Sequence, residues 1–285
     1  MPTPLELLLD PASLTVFAVY GALILWEALA PARPLPVVPG WRLRGAAAFV
    51  VYFFLSSYLP LLWGGYLAPL QIADLGALGL WGGAAVGLLV YEAFVYAWHR
   101  SMHAATPLWR TFHQMHHSAE RLDTSSAFWF SPLDMIGWTA VFSLSLTLVG
   151  LTPEAATLTI YIATFLSILG HTNVRTPQWL GYFIARPEMH SHHHERGAHA
   201  RNYADLPVFD MLFGTYHNPR EHAPQQGFYD GASRRILDML RFRDVAVPTV
   251  AAAATVDARA SSISQSRNAM AAGDSVRTLR RGHAW

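Results

Sequence analysis

The sequence predicts an all-α integral membrane protein, a helical bundle of four to five spans with a histidine-rich helical cap. Two observations predict this class. Hydrophobic residues make up 52% of the 285 positions and are concentrated in five apolar stretches. The chain also has 14 histidines and no cysteine, and most of the histidines lie in polar segments next to an apolar stretch. The alternative class is a soluble protein with very apolar core helices.

The five apolar stretches are residues 14–30, 45–67, 75–98, 133–151 and 155–170. A hydrocarbon core of about 30 Å requires about 20 helical residues, so the second and third stretches are long enough to cross it. The other three are shorter. The last two are joined only by Thr152, Pro153 and Glu154, which predicts a tight helical hairpin.

The basic residues predict the orientation of the bundle. All 20 are arginines. They lie in the first connection, in the connection between the third and fourth stretches, and after the fifth stretch, whereas the alternate connections have none. By the positive-inside rule, we expect the N-terminus outside and the histidine clusters and C-terminus in the cytoplasm, in the inner (cytoplasmic) membrane.

Eight histidines form three clusters with helical spacing. They are the pair His99 and His103, the triplet His113, His116 and His117, and the triplet His190, His193 and His194. On a helix, residues three and four apart share a face, so each cluster can direct several nitrogens at one point. Neutral imidazole is the commonest side-chain metal ligand. Eight imidazoles exceed the four that one tetrahedral ion needs and favour a pair of metals. Without cysteine, thiolate zinc sites and iron–sulfur clusters are excluded within this chain.

These motifs resemble those of a known superfamily. The strings at residues 98–103 and 112–118 and the triplet at 190, 193 and 194 are similar to the three histidine boxes of the fatty-acid hydroxylase/sterol desaturase superfamily, whose members are membrane non-haem di-iron oxygenases. The segment 202–215 resembles the closing motif of that superfamily. The resemblance implies two iron ions, dioxygen as co-substrate, and oxidation of an unactivated C–H bond in a lipid, such as a fatty acyl or sterol compound. It also implies His171 as a ninth ligand.

Other functions remain compatible with the spacing. A lipid desaturase on the same centre is not distinguished from a hydroxylase by the histidine pattern. A membrane metal transporter or storage protein belongs to a different class, but a transporter would place its ligands in mid-membrane on broken helices. Here the histidines lie at the ends of the apolar stretches.

Metal-bound imidazoles need acceptors that fix their tautomer. The candidates for this second layer are Glu92, Asn173, Asn202 and Asp210, together with Glu120, Asp123, Glu188, Glu195 and Asp205. We expect no catalytic residue beyond the metal ligands. His192, His199, His217 and His222 lack the cluster spacing. Asp134 lies in or beside an apolar stretch and is interpreted either as a functional intramembrane charge or as a charge at the membrane interface. A lipid groove between spans is expected to involve Phe53, Phe54, Tyr91 and Phe94.

Electrons must come from a separate donor, since the chain has no dinucleotide-binding glycine motif and no cysteine for an iron–sulfur cluster. We expect a ferredoxin or a small haem protein with its reductase, received by Arg100, Arg110, Arg196 and Arg201. A net charge of +1 gives no indication of nucleic-acid binding. Residues 1–244 are predicted to form one membrane oxygenase domain with the histidine boxes within 92–216. Residues 245–285, rich in alanine, serine and arginine, are predicted to be a disordered tail.

Overall fold

The computed structural model describes residues 1–248, which are helical and contain no strand. The all-α prediction is therefore confirmed for this part of the chain. The α-helices are α1 (Pro4–Leu9), α2 (Pro11–Leu29), α3 (Trp41–Leu67), α4 (Gly79–Ala104), α5 (Thr106–Leu108), α6 (Gln114–His117), α7 (Pro132–Val149), α8 (Pro153–His171), α9 (Pro187–His193), α10 (Val208–Leu212) and α11 (Ile236–Leu240).

Five helices are long and apolar enough to cross a membrane. They are α2, α3, α4, α7 and α8, of which α3 and α4 continue into short 3₁₀ turns at their ends. Five candidate spans agree with the upper limit of the predicted range of four to five. The large side chains on their outer surfaces are apolar, as the exposed Leu25, Leu61, Leu62 and Trp81 show. An apolar exterior of this kind suits contact with lipid.

Polar caps fix where three of these helices begin. The side chain of Asp10 accepts from the amide of Ala12, and Ser131 and Thr152 play the same part for α7 and α8. A proline follows each cap at the first helical position, where its missing N–H costs nothing. The caps place the starts of α2, α7 and α8 slightly before the apolar stretches from which they were predicted.

Close helix contacts hold the bundle together. Helix α4 packs on α8 and α7, while α3 packs on α7 and α2 on α8. Gly83 and Gly87 allow α4 to approach α8: a Cβ on Gly83 would lie 2.8 Å from the Cβ of Ala155, and one on Gly87 would lie 2.8 Å from Oγ1 of Thr159. This pair of small residues one turn apart is typical of tightly packed membrane helices.

The cap consists of the segments that follow α4 and α8. Trp41, at the start of α3, donates from Nε1 to Asp123 in the first of these segments (2.9 Å) and lies against Trp129. The compact unit extends from Met1 to Ala246, and Val245 is buried within it. Most of the predicted disordered tail (245–285) lies outside the described residues, so its disorder remains a prediction.

Candidate metal centre

The structure brings all nine predicted ligands together at the cap ends of the spans, in two groups. The five-histidine group is His99, His103, His113, His117 and His193, and the four-histidine group is His116, His171, His190 and His194. Within each group the candidate ligand nitrogens lie within 4.8 Å of one another. Eight of the nine residues are buried, and His103 is partly buried.

The two triplets are divided between the groups, which differs from the expectation that each cluster points at one centre. His113 and His117 belong to the five-histidine group, whereas His116 belongs to the four-histidine group. In α9 the division is reversed, since His190 and His194 lie in one group and His193 in the other. The reason is geometric. At about 100° per residue, positions i and i+4 differ by about 40° while i+3 lies about 100° away from i+4.

The helix that carries the first triplet is irregular. Residues Trp109–His113 form a π-helical turn that leads directly into α6. The amide of Gln114 donates to the carbonyl of Trp109, five residues earlier. A π-helical turn is a local widening that is frequent at functional sites. Here it sets the direction of His113 independently of the regular helix that carries His116 and His117.

Backbone carbonyls fix the tautomers of three histidines. Nδ1 of His99 donates to the carbonyl oxygen of Tyr203 (2.7 Å), Nδ1 of His171 to that of Ser167 (2.7 Å), and Nδ1 of His193 to that of Arg201 (2.6 Å). Because a carbonyl can only accept, Nδ1 carries the proton in each ring. In the neutral imidazole, Nε2 therefore presents a lone pair toward the centre of its group.

The spacing of the Nε2 atoms fits metal ligation. Nε2 of His99 lies 2.9 Å from that of His113, Nε2 of His193 lies 3.1 Å from that of His117, and Nε2 of His171 lies 3.0 Å from that of His190. Ligands at right angles on an ion about 2.1 Å away are about 3.0 Å apart. In His99 and His113 both Nδ1 atoms face acceptors, so two Nε2 lone pairs face each other, an arrangement that a cation between them would stabilise. Nε2 of His103 is also buried without a partner in the described structure.

Six of the nine histidines in the two groups favour the neutral form of the imidazole. Burial, reinforced by repulsion between neighbouring rings, lowers the pKa well below 6.5 in His113, His116, His117, His190, His193 and His194. A neutral imidazole is the form that binds a metal. The donor set is nitrogen alone, which suits iron, zinc or copper and not calcium or magnesium.

Three of the predicted second-layer residues fix the loop that follows α9. Asp210 accepts from the amides of Tyr203 (2.8 Å) and Ala204 (3.0 Å), and Glu92 accepts from the amides of Asp205 and Leu206. Both carboxylates thus hold the backbone whose carbonyls orient His99. Asn202 also fixes this loop, because its side-chain amide donates to the carbonyls of Met189 and His217.

Asn173 is placed differently. Its side chain donates to the carbonyl of Arg33 (2.7 Å), and its amide donates to Glu27. It therefore fixes the first connection against the end of α8, and its hydrogen bonds do not go to a histidine. Glu120 accepts from the amides of Gly231 and Ser233, Asp123 pairs with Arg121, and Glu188 pairs with Arg186. Glu195 lies 3.3 Å from Nδ1 of His192, a histidine outside both groups.

Sequence reasoning left the role of Asp134 open and did not pair it with a histidine. This residue is fully buried in the first turn of α7, and its Oδ2 lies 3.0 Å from Nδ1 of His113. It supplies the carboxylate partner that sets the tautomer of His113. The available signal was an acidic residue at the start of an apolar helix that directly follows the second histidine cluster.

The other histidines within residues 1–248, which are His192, His199, His217 and His222, lie outside both groups, as expected. Nδ1 of His199 lies 3.1 Å from Nδ1 of His117, so it is a direct neighbour of the centre. His192 contacts Glu195 and the carbonyl of Glu221 on the opposite side of α9. His217 packs against His192.

Two adjoining cavities lie beside the histidines. The smaller, of about 70 Å³, is lined by His99, His113, His116, His171 and His190 together with Asn202 and Asp205. The larger, of about 720 Å³, lies among α2, α3, α7 and α8. Tyr52, Tyr91, Phe128 and Ser167 line both, so these side chains form the wall between them.

A bundle of apolar spans with nine histidines in two groups at one end, eight of them buried, defines a histidine-box membrane protein. Residues 84–215, which include all nine histidines, match the fatty acid hydroxylase family. This match and the relative described next confirm the resemblance to the fatty-acid hydroxylase/sterol desaturase superfamily.

One curated relative is the ornithine lipid hydroxylase OlsE of Rhizobium tropici. It is 35% identical over 140 residues, which cover 47% of this chain and 41% of the relative. The chain thus spans about two fifths of the length of that relative. No solved structure matches.

Proposed function

We propose that this protein is a membrane-bound, dioxygen-dependent hydroxylase that inserts oxygen into an unactivated C–H bond of a membrane lipid. The observation that carries the proposal is the convergence of nine imidazoles in two groups beside a cavity within the spans. The match to the fatty acid hydroxylase family and the similarity to a lipid hydroxylase support it.

The proposed cofactor is a pair of iron ions, one in each histidine group. His99, His103, His113, His117 and His193 would hold one ion, and His116, His171, His190 and His194 the other. When bound, such a pair activates dioxygen for C–H oxidation. The protein keeps the rings neutral by burial and fixes their direction through the carbonyls and Asp134.

The larger cavity supports a lipid substrate. Its walls include Phe49, Phe53 and Phe142 and also hydroxyl groups such as those of Ser56 and Thr139. Of the aromatic residues expected in the groove, Phe53 and Tyr91 line it, whereas Phe54 and Phe94 are not among its lining residues. A cavity of about 720 Å³ is within the range for a lipid-sized ligand. The reacting carbon would pass the wall of Tyr52, Tyr91 and Phe128.

The reaction needs two electrons and two protons: lipid C–H and dioxygen give lipid C–OH and water. We propose that an external one-electron carrier, a ferredoxin or small haem protein, supplies the electrons. Of the four arginines considered, Arg110 pairs with Asp244, Arg196 pairs with Asp230, and Arg100 donates to Tyr96. Arg201 is exposed, and its carbonyl accepts from His193, so a carrier docked there would be one hydrogen bond from the centre.

The docking proposal is tested by reversing the charge of Arg201 and Arg196 together. Stopped-flow reduction by an acidic ferredoxin should slow and depend less on ionic strength. Reduction by dithionite, which requires no docking protein, is the control. An unchanged rate with ferredoxin would remove the proposed docking site.

We also propose that the cap faces the cytoplasm and the N-terminus the opposite side. The absence of cysteine allows clean reporters, since a single introduced cysteine is the only thiol in the chain. Gly197→Cys in the cap should be protected from an impermeant thiol reagent in intact cells, and Asp74→Cys should react. The opposite pattern would reverse the orientation.

The activity is tested by lipid mass spectrometry of cells grown under labelled dioxygen. The intact chain is compared with His116→Ala and with His192→Ala, which changes a histidine outside both groups. A lipid that gains one labelled oxygen with the intact chain and His192→Ala, but not with His116→Ala, would establish a hydroxylase. Loss of two hydrogens without label would indicate a desaturase. No difference, with an active electron donor present, would favour transport or storage of metal.

A further inference from the structure

Arg33 carries donor groups that no protein group satisfies. It lies in the connection between α2 and α3, where Nη1 donates to the carbonyl oxygen of Ala223. Its Nε and Nη2 are shielded from solvent and have no hydrogen-bond partner in the described part of the chain. Guanidinium nitrogens that are shielded from water and have no acceptor destabilise the folded protein. A ligand or a bound water would supply the acceptors that Nε and Nη2 lack.

The charge of Arg33 is also uncompensated. Burial lowers its pKa, and no carboxylate acts on it to raise it. Nearby arginines differ in this respect, since Arg175 pairs with Glu221 (2.9 Å) and Arg186 pairs with Glu188 (3.1 Å). Arg33 therefore contributes a net positive charge to this part of the cap.

His222 adds a second unsatisfied nitrogen next to Arg33. It directly precedes Ala223, whose carbonyl accepts from Arg33, and its Nε2 is buried without a partner. Burial and the neighbouring Arg33 and Arg175 lower the pKa of His222 to about 4. The neutral ring can present its single N–H at Nε2. Three nitrogens that can donate thus lie in one region of positive charge.

We propose that Arg33 and His222 form a binding site for a phosphate-type oxyanion, either a phospholipid headgroup or free phosphate. The site is separate from the histidine centre and does not depend on the proposed reaction. An oxyanion offers several acceptor oxygens and a negative charge, which match the guanidinium fork and the imidazole N–H.

The position of the site suits a headgroup. Arg33 follows the end of span α2 by four residues, and Asn173, which binds its carbonyl, follows the end of span α8 by two. Both span ends lie on the side of the cap, where headgroups would be.

The site is linked to the histidine helix through the segment beside Arg33. The amide of Ala223 donates to Oγ of Ser191 (2.9 Å), and Nε2 of His192 lies 3.1 Å from the carbonyl of Glu221. Both partners belong to α9, which carries His190 and His193. A bound oxyanion would hold the segment 221–223 against the back of this helix.

Binding is tested with the full chain purified in an uncharged detergent, with native mass spectrometry and unfolding temperature as readouts. The probes are inorganic phosphate and dioctanoyl-phosphatidylglycerol, with dioctanoylglycerol as the lipid that lacks phosphate. Arg33→Gln removes the charge, and Arg243→Gln is the matched control because that arginine is exposed and pairs with Asp238 (3.3 Å).

We expect one equivalent of phosphatidylglycerol to bind the wild-type chain and Arg243→Gln equally. Arg33→Gln should weaken binding by about 10- to 100-fold, the factor that one or two hydrogen bonds to a charged group contribute. His222→Phe, which keeps the ring and loses the N–H, should weaken it by about 2- to 10-fold. Arg33→Lys should recover part of the affinity and so separates loss of charge from misfolding.

The two probes distinguish the sources of the oxyanion. Binding of inorganic phosphate that depends on Arg33 means that the free ion is sufficient, and binding of phosphatidylglycerol alone means that the headgroup must be part of a lipid. Equal binding by wild-type and Arg33→Gln chains, no saturable binding of either probe, or equal binding of dioctanoylglycerol would overturn the proposal.

Discussion

The side chains around each imidazole decide which nitrogen it offers. His99, His171 and His193 bond outward to carbonyl oxygens, whereas His113 bonds to the carboxylate of Asp134. A carboxylate orients the ring and also increases its basicity as a ligand. The strength of His113 as a metal ligand therefore depends on the carboxylate of Asp134.

Replacing Asp134 by asparagine should weaken metal retention by about 10- to 100-fold, because a neutral amide oxygen accepts from Nδ1–H of His113 more weakly than a carboxylate, and an amide NH2 turned toward Nδ1 favours the other tautomer. The measurement is bound metal after a timed challenge with a chelator. Asp74→Asn, in an exposed loop, is the control. Equal retention in both variants would show that Asp134 does not support the site.

Asp210→Ala should destabilise the cap by about 2 kcal/mol or more, because the amides of Tyr203 and Ala204 would be left unsatisfied. The carbonyl of Tyr203 would then hold His99 less firmly. The comparison is the free energy of unfolding in detergent against Asp230→Ala, which removes only an exposed pair with Arg196 and should cost about 1 kcal/mol or less. Similar losses in both variants would contradict the role given to Asp210.

The nine candidate ligands could be predicted from the sequence, but the hydrogen-bond partners of their rings could not. The nine histidines follow from spacing and from the family resemblance. The carbonyls of Tyr203 and Arg201 reach the rings because the chain turns through left-handed conformations at His199, Arg201 and Asn202 (φ of 45°, 72° and 48°). Such conformations are uncommon for residues other than glycine and leave no clear pattern in a sequence.

Helices sort the ligands between the two groups. Consecutive residues of a regular helix differ in direction by about 100°. His116 and His117 therefore point to different histidine groups, as do His193 and His194. The spacing in the sequence therefore encoded two directions for each triplet. Its interpretation as a single direction came from treating one helix face as one point.

The contact of α4 with α8 gives a prediction for the element scale. Gly83→Ala would place a Cβ 2.8 Å from that of Ala155, so the helices must separate, and we expect a loss of about 1–3 kcal/mol. The readout is the unfolding temperature in detergent together with metal content, since α4 carries His99 and α8 ends at His171.

Gly65→Ala is the matched control, because a Cβ there meets nothing within 4 Å. It should be neutral or slightly stabilising, as alanine favours helix more than glycine does. If Gly83→Ala behaved like Gly65→Ala, the close packing of α4 on α8 would not be required for stability.

The fold of the whole molecule buries a large set of titratable groups. Six imidazoles in the cap have pKa values well below the 6.5 of a free histidine. Below pH 6.5 the unfolded chain therefore binds more protons than the folded chain. The free energy of unfolding should then fall with decreasing pH, by up to about 1.4 kcal/mol per pH unit for each such imidazole.

This dependence predicts that metal and stability are lost together between about pH 6.5 and about pH 5. The measurements are metal content after dialysis and unfolding temperature at each pH. His116→Ala should show a shallower dependence of the unfolding temperature on pH in the metal-free state, since one buried ring is removed. Unchanged metal content after dialysis at about pH 5 would count against a histidine site.

At this scale the sequence predicted the bundle, the cap, the position of the centre and a groove between the spans, of which Phe53 and Tyr91 line the larger cavity, but not the wall between the two cavities. The apolar stretches carry the spans, and the histidines mark the ends of those spans. The wall of Tyr52, Tyr91 and Phe128 joins residues far apart in the chain, so their proximity is a property of packing and not of any local pattern.

Two short segments each hold ligands for both histidine groups: 113–117 and α9. In the proposed pair, an ion in one group would fix both segments, which carry three ligands of the other group, and would act as a template for the second ion. Loading of the proposed pair is then expected to be cooperative, with chains that hold a single ion as a minor species. The same link would make the proposed centre sensitive to contamination, because a foreign ion in one group would fix the geometry of the other.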